Sequence, residues 1–415
     1  MRLPSTFDAL RERNYRIFYL GFALSLVGTW MERAALSWLV YRITGDSEMW
    51  LGLAAGVPVI PALLLSLPAG ALVDRVRVRT VLLCTQGLMC LGATAISALV
   101  LLDAVRPWHV LVYIAYAAAV FAVDAPARHA FVVRLVGRAR ITNAFALNAV
   151  AFQVAQVVGS ALFGILMAHT DIGEGGCLVI NAGSFLCVLA SLFVVRETVA
   201  AVSVGAERPR PLDGLRHAWR TPVIRGALLI SVTTAMFGFQ IGQLLPVYAK
   251  KVWGGGPEAF AWLRGAMGIG AFIGGVTLAT RSATVVRGAL IRRYGVFVPP
   301  LLLVFAHSAW LETRLGAIPS FELGLAVICI LGFTMIQLHS SCSSLVQSHV
   351  PDGLRGRVSS LFTLSVLASF PTGGFLAGQL AEHIGAPWTT TIGAAIVAAA
   401  YAAIHVTHRE LRDAA

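Results

Sequence analysis

Long apolar stretches, separated by short polar or charged segments, dominate this chain. Most run for about 20 residues or more, the length that a helix needs to cross a bilayer. The alternating ten-residue segments of a transmembrane barrel do not occur in the sequence. The pattern therefore predicts an all-α integral membrane protein with twelve transmembrane helices. The predicted spans cover residues 16–41, 50–73, 80–102, 108–133, 141–169, 176–196, 223–249, 258–280, 288–311, 321–349, 358–382 and 388–407.

Composition supports a membrane protein. Of the 415 residues, 57% are hydrophobic and 13% are charged, whereas a soluble domain carries about 25% charged residues. The first apolar run begins near Ile17 and is too long for a cleavable signal peptide, so it is predicted to be a retained helix. The six cysteines lie in or beside apolar segments without metal-binding spacing, and we expect neither a metal nor a cofactor.

The distribution of arginine predicts the orientation. Alternate loops hold most of the arginines, as in the turn with Arg75, Arg77 and Arg79, while the loops between them hold few. By the positive-inside rule, both termini are predicted to be cytoplasmic in a multi-pass protein of the cytoplasmic (inner) membrane. The same rule accounts for the net charge of +12 without a nucleic-acid partner.

The longest polar connection follows the sixth predicted span. It covers residues 197–222 and contains Pro209, Pro211 and several arginines. It divides the chain into an N-terminal six-helix bundle, residues 1–196, and a C-terminal one, residues 223–415. A linker between two such bundles is typical of transporters that rock one bundle against the other.

The turn after the second span resembles the signature loop of the major facilitator superfamily, G-x-L-a-D-R-x-G-R-K. Arg77 and Val78 depart from it, standing where glycine and arginine are usual. Residues 28–31, 35–41, 124–128, 143–148 and 350–357 resemble the exporter branch that includes macrolide efflux proteins and the enterobactin exporter. The resemblance implies two pseudo-symmetric six-helix bundles and a functional monomer. The matching loop residues are Gly70, Leu72, Asp74, Arg75 and Arg79.

The resemblance also implies a conformational latch in which the Asp74 loop braces against the second half. Asp124 is expected to accept a hydrogen bond from Arg75 or Arg79. Asp124 and Arg128 are spaced i,i+4 with the acid first, the favourable order for a helix pair. A static salt bridge, a dynamic gate and ordinary topogenic charges all remain open. The predicted latch comprises Gly70, Asp74, Arg75, Arg79, Asp124 and Arg128.

Glu32 and Arg33 are charges within the first span. A lone carboxylate there is costly unless it is paired, protonated or open to a water-filled cavity. Glu32 and Asp124 are therefore the predicted proton-coupling residues, and a static bridge is the alternative for Glu32. Polar and aromatic residues of several spans are predicted to line the substrate cavity, with helix packing as the alternative. They are Trp30, Arg33, Asn148, Phe152, Gln156, Gln240, Gln243, Gln337 and His339.

The sequence contains no Walker loop, catalytic acid pair or nucleophile motif, so an enzyme and an ATP-driven pump are not expected. We predict a secondary transporter that exports an amphipathic small molecule, such as a drug or a siderophore-like metabolite, in exchange for protons by alternating access. The alternatives are a nutrient importer, a lipid-moving facilitator and a transport-inactive membrane sensor.

Overall fold

The computed structural model describes residues 5–137, 140–195, 211–280, 287–315 and 319–407. The regular structure in these ranges is helical, so the predicted all-α membrane architecture is confirmed. A 3-10 helix, Ser5–Arg11, precedes the first long helix. The α-helices are α1 Arg13–Ile43, α2 Glu48–Gly56, α3 Val59–Arg75, α4 Val78–Leu101, α5 Pro107–Val136, α6 Ile141–His169, α7 Gly173–Val194, α8 Pro211–Arg220, α9 Pro222–Thr233, α10 Ile241–Val247, α11 Pro257–Thr280, α12 Arg287–Ala306, α13 Ser308–Leu315, α14 Ser320–His349, α15 Asp352–Ile384 and α16 Ala386–Thr407.

Within the described ranges, eleven helical segments are long and apolar enough to cross a membrane. They correspond to the second to twelfth predicted spans. The first predicted span is α1, whose 31 residues also exceed the required length. Glu32 and Arg33 lie inside α1 and lower its mean hydropathy.

Two predicted spans are broken helices. The second span consists of α2 and α3, which are separated at Val57 and Pro58. The seventh consists of α9, a π-helix over Thr234–Gly238, α10 and a second π-helix over Tyr248–Val252. The hydrophobic pattern gives no sign of these breaks, because apolar residues continue through them.

The chain forms two compact units. Unit 1 contains Met1–Asp46 and Val57–Val204, and unit 2 contains Ser47–Gly56 and Gly205–Ala415. The short helix α2 thus packs with the second half of the chain, although it precedes α3 of unit 1. The sequence predicted bundles of residues 1–196 and 223–415, without this exchange.

In unit 1, α1 packs against α6 and α7, and α4 packs against α5 and α7. Buried aromatic residues fill one end of this unit, where the Phe18 and Phe131 rings meet edge to face at 5.1 Å. Arg140, at the start of α6, forms ion pairs with Asp8 of the 3-10 helix and with Glu12, which precedes α1. The hydrogen bond to Asp8 raises the pKa of Arg140 above its ordinary value.

In unit 2, α14 packs against α11 and α12, and α15 packs against α2. Glycines allow two of these helix pairs to approach closely. A Cβ on Gly270 would lie 1.8 Å from the Cys329 carbonyl oxygen, and one on Gly378 would lie 2.4 Å from the Gly52 Cα. Small residues at such crossings let backbones pack directly.

Candidate functional site

Glu32 lies at the centre of a buried polar cluster in unit 1. Its side chain projects from α1 and is 6% exposed. The Tyr113 hydroxyl on α5 donates a 2.8 Å hydrogen bond to Oε2, and the Asn181 amide on α7 donates to the same oxygen. Three helices thus supply an acid with two neutral donors, which stabilise the carboxylate without a fixed counter-charge.

The close approach of α1 to α7 depends on Gly28. A Cβ there would lie 2.5 Å from Ser184 Oγ and 2.6 Å from Asn181 Oδ1. Gly28 is one helical turn before Glu32 and faces the same side of α1. The glycine therefore brings α7 near enough for Asn181 to reach the carboxylate.

An aromatic surface adjoins this cluster along α1. Trp30 packs edge to face against Phe152 of α6, with 5.1 Å between ring centroids. Phe152 is 42% exposed. The Arg33 side chain is exposed, and its guanidinium carbon lies 4.9 Å from the centroid of the Trp30 ring. An accessible cation beside apolar rings can contact an amphipathic molecule.

Asp124 forms a second buried cluster in unit 1. Its side chain is 1% exposed. Thr85 and Gln86 of α4 each donate a 2.8 Å hydrogen bond to Oδ1. Arg128 pairs with Oδ2, as the i,i+4 spacing predicted, and its guanidinium also lies 4.6 Å from the Phe22 ring.

The latch residues are only partly brought together. Asp124 was expected to accept from Arg75 or Arg79, but Arg79 donates to the Phe193 carbonyl oxygen at 3.0 Å. The reason is that the start of α4 lies against the end of α7. Gly70 and Asp74 belong to α3, and the Asp74 side chain lies outside the described part of the structure. The latch stays a prediction.

Two further predicted cavity residues lie on α6 of unit 1. Asn148 accepts a 3.2 Å hydrogen bond from the Tyr15 hydroxyl, which also donates to the Ala144 carbonyl oxygen. Asn148 therefore helps to join α6 to α1. Gln156 is half-buried on the same helix.

The four predicted cavity residues of unit 2 have different surroundings. Gln337 is fully buried and donates a 2.7 Å hydrogen bond to Thr277, so it joins α14 to α11. Half-buried His339 stacks on Phe362 at 5.4 Å. The remaining two residues approach glycines: Gln243 lies beside Gly374, and buried Gln240 lies beside Gly393.

A polar cluster in unit 2, which the sequence did not predict, holds the start of α2 in place. Glu48 is 4% exposed, and the Lys251 ammonium donates to it at 2.7 Å. The Glu382 carboxylate accepts from Ser47 Oγ at 3.0 Å and from the Met49 N–H at 2.9 Å. We call these five residues the α2 clamp. Glu48 lies in the first turn of α2, where a carboxylate interacts favourably with the helix dipole.

Sequence reasoning found the buried acids Glu32 and Asp124 but missed their neutral donors. Tyr113, Asn181, Thr85 and Gln86 are polar residues inside apolar spans, which is a weak signal on its own. In the described ranges, no group of three or more His, Cys, Asp or Glu residues could hold a metal ion.

The profile of the transmembrane secretion effector family matches residues 4–414. The multidrug efflux pump Tap of Mycolicibacterium fortuitum is 27% identical over 86% of this chain and 87% of its own length. The staphyloferrin A transporter of Staphylococcus aureus is 24% identical over 91% and 92%. The enterobactin exporter EntS of Salmonella choleraesuis is 28% identical over 63% and 59%.

Solved transporter structures share the fold. A bacterial homologue of the human lysosomal transporter Spinster, in an inward-facing conformation, superposes with a TM-score of 0.72 at 13% identity and covers 97% of both chains. A D-xylose–proton symporter gives a TM-score of 0.68 at 13% identity, covering 94% of this chain and 97% of its own. The major facilitator fold predicted from the sequence is confirmed.

Proposed function

This chain belongs to the transmembrane secretion effector family of the major facilitator superfamily, and from that premise we propose that it exports an amphipathic small molecule in exchange for protons. The multidrug efflux pump and the enterobactin exporter among its relatives support this direction and cargo class. We place it in the cytoplasmic membrane as a monomer with both termini in the cytoplasm.

The observation that carries the proposal is the Glu32 cluster beside the aromatic surface. A carboxylate held by the neutral donors Tyr113 and Asn181 can take up a proton without breaking an ion pair. Arg33, the next residue, is the nearest charge along α1 and is exposed. Protonation of Glu32 therefore removes a negative charge next to Arg33, the cation that contacts Trp30.

Asp124 has a different role in this proposal. Tyr113 and Asp124 are eleven residues apart on α5, which is about three turns or 16 Å, and they share one face of the helix. Asp124 is neutralised by Arg128 and held by two further donors. Protonation of Asp124 would break its ion pair with Arg128, so we assign proton exchange to Glu32 and positioning of α4 and α5 to Asp124.

The α2 clamp supports alternating access. With both termini in the cytoplasm, Glu48, Lys251 and Glu382 lie at the outer ends of their helices. Glu382 holds the start of α2 against α15 through polar contacts, and Gly52 and Gly378 let the two helices approach closely where they cross. The break at Val57 and Pro58 separates α2 from α3. We propose that the clamp opens when cargo is released.

Everted membrane vesicles test the export proposal. Energised everted vesicles should accumulate Hoechst 33342 when they contain the parent protein, and collapse of the pH gradient with nigericin should abolish this accumulation. Glu32→Gln should remove most of the pH-driven uptake but leave dye binding to the purified protein nearly unchanged. Glu322→Gln is the matched control, because Glu322 is an exposed acid at the start of α14.

Three outcomes separate the alternatives. Loss of Hoechst 33342 from everted vesicles would indicate import. Movement of a fluorescent phospholipid between leaflets, without movement of the dye, would favour a lipid facilitator. Full pH-driven uptake by Glu32→Gln would remove Glu32 from the coupling mechanism.

A further inference from the structure

A cavity of about 390 Å³ lies wholly inside unit 2. It is bounded by the seventh span, α15 and α16. Most of its wall is apolar, and Leu376, Ile392 and Ile396 are partly exposed at its rim. The polar residues of the wall are Gln240, Gln379, His383 and Thr389. Because these exposed aliphatic side chains lie on membrane-spanning helices, which hydrocarbon surrounds, we infer that the cavity opens towards the bilayer.

One buried amide faces this cavity. Gln240 is 4% exposed and lines the wall. Its Nε2 atom lies against Gly393, since a Cβ there would be 2.2 Å away. Among the described residues, none of the hydrogen bonds involves the Gln240 carboxamide. The other amide of the wall, Gln379, is 3.5 Å from the Met49 carbonyl oxygen.

An unpartnered buried amide in an apolar cavity indicates a ligand with a polar group. A carboxamide without hydrogen-bond partners at an apolar cavity is unfavourable, and a hydrocarbon chain in the cavity would not satisfy its donor and acceptor. A molecule with one hydrogen-bonding group on an apolar body satisfies the amide and fills the aliphatic walls.

The depth of Gln240 argues against a phospholipid. Gln240 lies twelve residues before Val252, the end of its span, which corresponds to about 18 Å along a helix. A phospholipid whose head group stays at the bilayer surface therefore presents only its hydrocarbon to Gln240. The polar group must belong to a molecule small enough to enter the bilayer interior.

We propose that this cavity is a binding site for a small apolar molecule with a single hydrogen-bonding group, which enters from the bilayer and bonds to Gln240. Its volume lies within the range of small-molecule pockets, about 300–1,000 Å³. The site is formed by unit 2 alone and is separate from the Glu32 cluster of unit 1. Binding at this site does not require transport, so a test of binding does not depend on whether the protein exports a cargo.

Photolabelling of the purified full-length protein tests the site. The probe is 4-hydroxybenzophenone, which has two apolar rings and one phenolic hydroxyl, and the protein is in phosphatidylcholine nanodiscs. After irradiation, mass spectrometry should locate the label on residues 376–383 of α15 or residues 389–396 of α16. Non-photoreactive 4-benzylphenol should compete with the labelling.

Two variants test the assignment. Gln240→Leu removes the hydrogen bond and should weaken labelling by about threefold to tenfold. Ile392→Trp places a large side chain at the rim and should abolish labelling of this site. Val406→Trp, a matched change at a 66% exposed position on the same helix away from the cavity, should label like the parent.

The proposal is overturned by either of two results. Equal labelling of the parent and Gln240→Leu would show that the amide does not bind the probe. Labelling of the same residues by a phospholipid with a diazirine in its acyl chain, undiminished by 4-benzylphenol, would show that bilayer lipid occupies the cavity. Monodisperse size-exclusion profiles for all variants exclude misfolding as the cause of lost labelling.

Discussion

The Tyr113 hydroxyl donates a 2.8 Å hydrogen bond to the Glu32 carboxylate across 81 positions of the chain. This bond joins α5 to α1 inside unit 1, and a hydrogen bond from Asn181 to the same carboxylate joins α7 to them. A proton that binds Glu32 therefore acts on three helices at once, which is the property that a coupling residue needs.

Tyr113→Phe should shift the pH profile of transport without abolishing transport. The substitution keeps the ring but removes one of the two neutral donors to the Glu32 carboxylate. Initial rates of dye uptake by vesicles, measured from pH 5.5 to pH 8.5 at a constant pH difference, check the shift. An unchanged profile would mean that the hydroxyl serves packing alone.

Gly28→Ala should destabilise the protein and reduce pH-driven transport. The added methyl group would lie 2.6 Å from Asn181 Oδ1, so α1 and α7 must separate, and overpacking of this kind costs about 1–3 kcal/mol. Thermal melting in detergent gives the stability. Gly183→Ala is the control on α7, because a Cβ there meets nothing within 4 Å. A melting temperature for Gly28→Ala equal to that of the control would contradict the prediction.

Asp124→Asn should lower the free energy of unfolding by about 3–5 kcal/mol, because it leaves Arg128 largely buried without its counter-charge. The Arg128 side chain is 15% exposed and that of Asp124 is 1% exposed. Denaturant unfolding compared with Asp103→Asn, in an exposed turn, checks the loss. The double variant Asp124→Asn/Arg128→Gln should recover part of it. No recovery would show that Thr85 and Gln86, rather than the ion pair, account for the effect.

Lys251→Gln should loosen the α2 clamp, because Glu48 is buried and loses its counter-charge. In a cysteine-free background with Ala55→Cys on α2, the rate of labelling by an impermeant maleimide should rise severalfold. Ala55 is 7% exposed and lies against Gly374, so it reacts only when α2 separates from α15. Arg314→Gln, an exposed change in unit 2, should leave the rate unchanged. Slower labelling of Lys251→Gln than of its parent would rule out the clamp.

The sequence by itself determined the features that depend on local composition and spacing. Apolar stretches longer than a bilayer is thick require helices, because an unpaired backbone is too costly in hydrocarbon. The i,i+4 spacing of Asp124 and Arg128 ensured that they could meet on one helix. The signature loop and the exporter-like stretches indicated the superfamily that the comparison then established.

Only the tertiary structure decided which distant residues meet. The rotation of α5 and α7 about their axes brings Tyr113 and Asn181 to Glu32, and no period in the sequence encodes that rotation. Helix packing likewise placed Gln337 against Thr277 and Gln240 at a cavity of unit 2. In an apolar span almost every face is hydrophobic, so the pattern does not say which face is inside. Close approach at glycines, and partners for the few polar groups, select the face instead.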